Sequence, residues 1–286
     1  MRPRWAAPDH ASLVTVAVDI ASADGLEYLG RLLASSPEPG RAPFMAHVAR
    51  GTVDADYPGS GGYVLHLYHF HHPWTHLGYA GCCSSAAQVT NRLFLDGLAL
   101  WTGGRREEAA YELGRACHPL IDVWVPYHAA GVAGCGHGPY EAWLTEDARW
   151  RDYVPGRGGR YSWQALYRPG DGGPPHILDS RSPPHWVDLA AHESWAWYRD
   201  GLNGCANRRY QEGFAAAAEV LVPGTVRYLA GFLHAFFTLA GEAPVAATPV
   251  PVAATPVPVA ATPVPVAATP VPATSVAGTL VEEGTS

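Results

Sequence analysis

The run Cys117-His118-Pro119-Leu120-Ile121-Asp122-Val123-Trp124-Val125-Pro126-Tyr127-His128, continued at Gly136-His137-Gly138-Pro139-Tyr140-Glu141, decides how the rest of the chain is read. Two His/carboxylate pairs stand four residues apart: His118 with Asp122, and His137 with Glu141. On an α-helix such residues project from one face a turn apart, which lets both side chains reach one metal ion. Imidazole nitrogen combined with carboxylate oxygen suits zinc or a similar borderline ion, whereas calcium and magnesium prefer all-oxygen shells. A lone pair of this kind reads more simply as a surface helical pair or a satisfied core histidine. Five ligand-type residues within 24 positions, 118 to 141, tip the reading toward a metal.

Outward from this run the apolar periodicity is helical. It predicts helices at about 10 to 22, 25 to 35, 84 to 101, 105 to 123, 138 to 150, 185 to 200 and 207 to 239, with weak strand signals and a long Gly/Pro-rich loop from Tyr153 to Pro184. Asp24 is read as the cap of the second helix. Gly103-Gly104 ends the helix before Arg105, and Gly201 closes the Trp-rich helix. The fold class expected is all-α, a multi-helix bundle around a metal cluster. From Gly241 the composition changes: Thr248-Pro249-Val250-Pro251-Val252-Ala253-Ala254 recurs every seven residues through Pro272. Frequent proline favours polyproline II over a coiled coil. We therefore expect residues 1–240 to form the folded unit and 241–286 a disordered, repetitive tail.

Of the 286 residues, 48% are hydrophobic and 16% charged, which excludes wholesale disorder. All 19 basic side chains are Arg, and the net charge of -7 argues against a general nucleic-acid binder. The apolar region Gly213–Leu239 is interrupted by Glu219, Pro223, Arg227 and His234, so no membrane-spanning helix is expected. Met1-Arg2-Pro3-Arg4 leads into Trp5 with no apolar leader segment behind it. The five Cys lack CxxC spacing and fit neither a thiolate zinc ribbon nor a complete disulfide framework. His71, His72 and His76 are read as exposed or supporting groups, and His185, His192 and His234 as packing residues.

The pattern H-x3-D-x3-P-x-H-A-A followed by H-x3-E, from His118 to Glu141, resembles the bacterial zinc-dependent phospholipases C, the family of the Bacillus enzyme and clostridial alpha-toxin. Ala55-Asp56-Tyr57 and Tyr68-His69-Phe70 are similar to its short Asp and His motifs. Trp5 and His10 match its start, and Gly224–His234 resembles its last catalytic-domain helix. The resemblance covers most of residues 5 to 240. It implies three zinc ions: one held by His69, His118 and Asp122, a second by His128, His137 and Glu141, and a third by Trp5 and His10 with Asp122 bridging. Asp56 would orient or deprotonate the attacking water, and Tyr57 and His66 would face the substrate headgroup. The reaction implied is cleavage of a phospholipid to diacylglycerol and a phosphorylated headgroup at a transiently contacted membrane surface, outside the cell.

The chain departs from the family at several points. Trp5 ligates in the family as a free N-terminus, so the expectation is either that the start codon is misplaced or that processing after Arg4 exposes it. Pro119 is expected to kink the helix at His118. His66 stands where the family has Phe, Gly131 where it has Asn and Pro8 where it has Glu, and the link from His128 to His137 is short. Single-strand-specific zinc nucleases, with the same three-metal arrangement and the same four-residue gap between Trp and His, are the alternative enzyme. Glu141 favours the lipases over them. A non-catalytic zinc-stabilised helical domain is the alternative from a different class.

Overall fold

In the computed structural model the described residues are 7–57, 67–161 and 183–244. They contain nine α-helices and no strand: α1 (Ala7–Ala23), α2 (Glu27–Ala34), α3 (Phe44–Asp54), α4 (Ala86–Thr102), α5 (Arg106–Asp122), α6 (Pro126–Ala129), α7 (His137–Thr145), α8 (Pro183–Trp197) and α9 (Phe214–Leu239). A 3-10 segment, Glu146–Tyr153, extends α7, and a π turn, Tyr198–Leu202, follows α8. All of these lie within the unit Met1–Thr248, which separates from Pro249–Ser286. The repetitive tail and most of the Gly/Pro-rich loop lie outside the described residues.

Helix α5 is the centre of the bundle. Its first half is amphipathic, but every residue from Ala116 to Asp122 is buried, so the chain carries His118 and Asp122 into the core along with Leu120 and Ile121. It packs between α3 and α4 and also meets α1, α8 and α9. Pro119 sits inside α5 without ending it. Helix α3, which the periodicity did not single out, lies against α5 backbone to backbone. A β-carbon at Gly114 would fall 2.0 Å from the Val48 carbonyl oxygen, and one at Gly51 would fall 2.0 Å from that of Tyr111. The approach lets the Thr52 hydroxyl donate to Gly114 O at 3.1 Å, and it brings Thr52 O to His118. Gly114→Ala must push α3 away and is expected to cost at least about 1–3 kcal/mol as overpacking. Thermal unfolding reads this out, and an unchanged midpoint would show that the two backbones need not touch.

Helix α9 is long and apolar but buried. By length and composition Tyr210–Leu239 could cross a membrane, yet 67% of its most apolar window is buried. Leu229, Phe232, Leu233, Phe236 and Phe237 have no exposure, the position of a core helix. Asp24 corrects an expectation. It does not cap α2, whose N-cap is Leu26 without a side-chain bond. Instead its carboxylate accepts from Gly158 N, Gly159 N and Tyr161 OH, tying the loop after α7 to the end of α1. Of the five Cys, Cys135 and Cys205 form a disulfide across 70 residues, leaving Cys82, Cys83 and Cys117 as thiols. It fastens the short link between α6 and α7 to the segment that follows α8. His234 is only partly buried and pairs with Tyr28 OH at 2.8 Å.

Candidate metal centre

Each element delivers its ligand-type side chain for a local reason. Helix α1 presents His10 on its buried face, and Trp150 Nε1 donates to Asp9 beside it at 3.0 Å. The turn leaving α3 carries Asp56. A 3-10 turn, Leu67–His69, carries His69, and the neighbouring Tyr68 hydroxyl donates to Ala55 O, which joins these two segments. His118 and Asp122 occupy the buried last turn of α5, His128 lies in α6, and His137 and Glu141 stand a turn apart at the start of α7.

These residues converge as two groups. In the first, Asp122 is the hub: Oδ1 lies 2.9 Å from His10 Nε2, while Oδ2 lies 2.5 Å from His69 Nδ1 and 3.2 Å from His118 Nε2. Asp56 Oδ1 stands 3.4 Å from His118 Nε2 and 4.0 Å from His69 Nδ1. In the second, Glu141 Oε1 lies 2.8 Å from His137 Nε2 and 3.2 Å from His128 Nε2, and the two imidazole nitrogens are 2.8 Å apart. The groups are bonded together, since His128 Nδ1 meets His69 O at 3.1 Å.

Tautomers follow from these bonds. A carbonyl oxygen can only accept, so His118 Nδ1–H donates to Thr52 O at 2.7 Å and His128 Nδ1–H donates to His69 O. In the neutral rings the Nε2 lone pairs then point into the groups, the arrangement by which an outer carbonyl orients a ligating imidazole. Among the described residues, buried Glu141 Oε2 has no hydrogen-bond partner. Buried nitrogens and carboxylate oxygens facing one another at 2.5 to 3.4 Å form a donor set that fits divalent ions of the zinc type.

Burial and charge oppose each other throughout. For His118, burial pulls the pKa down, but the Asp56 and Asp122 carboxylates outweigh it and hold the ring well above its usual value. His128 is likewise raised against burial, by Asp122 and Glu141. His69 goes the other way: burial dominates and lowers it to about 4. Burial would raise the carboxylates, yet the facing imidazoles depress them, Asp122 and Asp56 below the usual carboxylate range and Glu141 to about 2.

Seven of the eight ligand candidates, with Asp56, therefore meet in the two groups. Trp5 and His66 lie outside the described residues. Tyr57, beside Asp56, is exposed. A separate cluster was not expected. His71, read as an exposed or supporting group, is buried against Asp188, and His76 and His192 approach the same carboxylate. The local signal for it was the i, i+4 pair of Asp188 and His192; the link to His71, 117 residues away from Asp188, is made only by packing.

An all-α bundle with ligand-type side chains gathered in its core is the class this architecture defines. By sequence, no family model and no curated protein matches the chain. By structure, it is similar to alpha-toxin from Clostridium absonum, with a TM-score of 0.63 and 20% identity over 83% of this chain and 65% of that one. It is also similar to Clostridium perfringens alpha-toxin from avian strain SWCP, with a TM-score of 0.60 and 19% identity over 82% of this chain and 63% of that one. The chain has the fold of the clostridial alpha-toxins and spans less than two thirds of the length of either.

Proposed function

We propose that the chain is a zinc-dependent phosphodiester hydrolase of the phospholipase C type, with residues 1–240 as the catalytic unit and 241–286 as an appended tail. The observation that carries this reading is the position of Asp56. It borders the buried first group, facing His118 and His69, yet keeps 29% side-chain exposure where Asp122 keeps 4%. It is the member of the group that solvent and substrate can reach.

One ion would be held by His69, His118 and Asp122, with Asp56 alongside, a second by His128, His137 and Glu141, and a third by His10 and Asp122 with Trp5. Zinc in such sites would neutralise phosphodiester charge and acidify water near neutral pH. Asp56 accepts a hydrogen bond from the attacking water and aims it at phosphorus. Its exposure would also let it take a proton from that water, so the carboxylate serves to orient or deprotonate the nucleophile. Asp122, shared by three imidazoles, fixes the spacing of the first group, and Phe70, stacked on His128 at 4.5 Å, screens the second. The phosphorus–oxygen bond to diacylglycerol breaks as the water oxygen adds, and the proton lost by the water is returned to the departing alkoxide, giving the free hydroxyl of diacylglycerol.

Phospholipid is the substrate, met at a membrane surface that exposed Tyr57, Trp74 and Leu77 would touch. The disulfide supports an extracellular location, since such bonds persist in oxidising compartments. The same exposed aromatics could stack nucleic-acid bases, which keeps the single-strand nuclease as the second reading.

Asp56→Asn tests the role directly. Turnover of a chromogenic phosphocholine ester is expected to fall roughly 100- to 10,000-fold, with bound zinc unchanged by elemental analysis. Undiminished turnover would remove Asp56 from the reaction.

A further inference from the structure

Two residues beyond His69, the chain delivers another imidazole to another partner. His71 and Asp188 are 1% and 2% exposed, and His71 Nε2 lies 2.9 Å from Asp188 Oδ1. His76 Nδ1 reaches the same oxygen, also at 2.9 Å. One helical turn along α8 from Asp188, His192 Nε2 stands 3.8 Å from Oδ2. Three imidazoles thus crowd one buried carboxylate, two of them on the same oxygen.

The backbone is bent to achieve this. His76 has a φ of 57°, a left-handed conformation that a residue with a β-carbon adopts at a cost of roughly 1–2 kcal/mol. The turn is closed by His76 N donating to His72 O at 2.8 Å and His72 N donating to Leu77 O at 2.9 Å. The result aims Nδ1 of His76 at Asp188 instead of at solvent. Beside the cluster opens a cleft of about 290 Å³ lined by Ser85, Ala87, Gln88, Asn91 and the three ligand-type residues, a route for an ion and its water.

We propose that His71, His76 and Asp188 form an additional zinc site, separate from the two groups at the bundle centre. Their ligand atoms all lie within 4.8 Å of one another. Zinc bonds of about 2.0–2.2 Å to nitrogen and oxygen place tetrahedral ligands about 3.3 Å apart, so small shifts seat the ion. Two nitrogens and one oxygen leave a fourth position for water on the cleft side. The ion fastens the turn 71–77 to α8. Because His71 N also donates to His128 O at 3.1 Å, it braces α6 as well.

The test is a zinc count on full-length protein that has been stripped with chelator, reloaded and passed through metal-free buffer. Compared are the wild type, His76→Ala, Asp188→Asn and His137→Ala. His76 is half-exposed, so its variant is expected to fold even if Asp188→Asn does not. The expected result is one zinc fewer in His76→Ala than in the wild type, with the same deficit in folded Asp188→Asn. In His137→Ala, a second substitution at His76 is expected to remove one more zinc. Equal counts in the wild type and His76→Ala would overturn the site. Since the readout is a difference at His76, it stands or falls independently of whether the central groups bind metal or hydrolyse phospholipid.

Discussion

Asp122→Asn is expected to abolish turnover and to lose more than one bound zinc, because its two carboxylate oxygens serve different partners. Oδ1 faces His10, whereas Oδ2 faces His69 and His118. The amide keeps the shape but removes the charge and one acceptor, so both ions that share this side chain lose their anionic ligand. Outer-shell changes alone typically weaken metal binding by about 10–100-fold, and loss of a ligand from two sites exceeds that. Without metal the cost remains: removing one partner of a buried charge pair destabilises by about 3–5 kcal/mol. At roughly 2–4 °C per kcal/mol for a domain of this size, the midpoint of unfolding falls by about 6 °C or more. Zinc analysis with calorimetry checks both effects. Retention of all zinc would mean that Asp122 is not the shared ligand.

The second large effect is the dependence of zinc stabilisation on pH. In the metal-free protein His118 and His128 have raised pKa values, so their ion pairs contribute fully below the unfolded value of about 6.5 and fade as pH rises through the folded values. Asp122 and Glu141 are depressed, so their contribution is present above about 4.5 and is lost as pH falls, for Glu141 toward about 2. His69, lowered to about 4, opposes the other two rings: stability is lost as pH falls from about 6.5 through that value. The metal-free ion pairs are therefore strongest between about pH 4.5 and 6.5. Zinc requires neutral imidazoles and must displace protons from His118 and His128 in that window.

The difference in unfolding midpoint between zinc-loaded and chelator-treated protein should accordingly be small near about pH 5.5 and large near about pH 8. Two ions, each at about 100-fold over its dissociation constant, supply roughly 5 kcal/mol, or about 10–20 °C. A difference that does not change between these pH values would show that the raised histidines are not ligands.

How much of this was legible in sequence depends on how local each signal is. The i, i+4 pairs on α5 and α7 are local, so His118, Asp122, His137 and Glu141 could be read from helical spacing alone. His128 stood out by its place in the same dense run, whereas His10, Asp56 and His69 had no such signal and came from the family resemblance; packing places them. Helix α3 escaped notice because its stabilisation is tertiary: Gly51, a poor helix former, is there to let α5 approach. Asp24 looked like a cap because it precedes a helix, but its partners lie more than 130 residues away. The cysteine pair 135 and 205 and the cluster of His71, His76 and Asp188 are likewise contacts between distant segments, which no spacing rule encodes.

The central claim is tested most directly by incubating the zinc-loaded protein, side by side, with phosphatidylcholine vesicles and with single-stranded DNA. Release of a phosphorylated headgroup and diacylglycerol, abolished by chelator and restored by zinc while the DNA stays intact, is the predicted result. Cleavage of the DNA with the lipid untouched would make the chain a nuclease, and zinc binding with neither substrate cleaved would contradict the catalytic account.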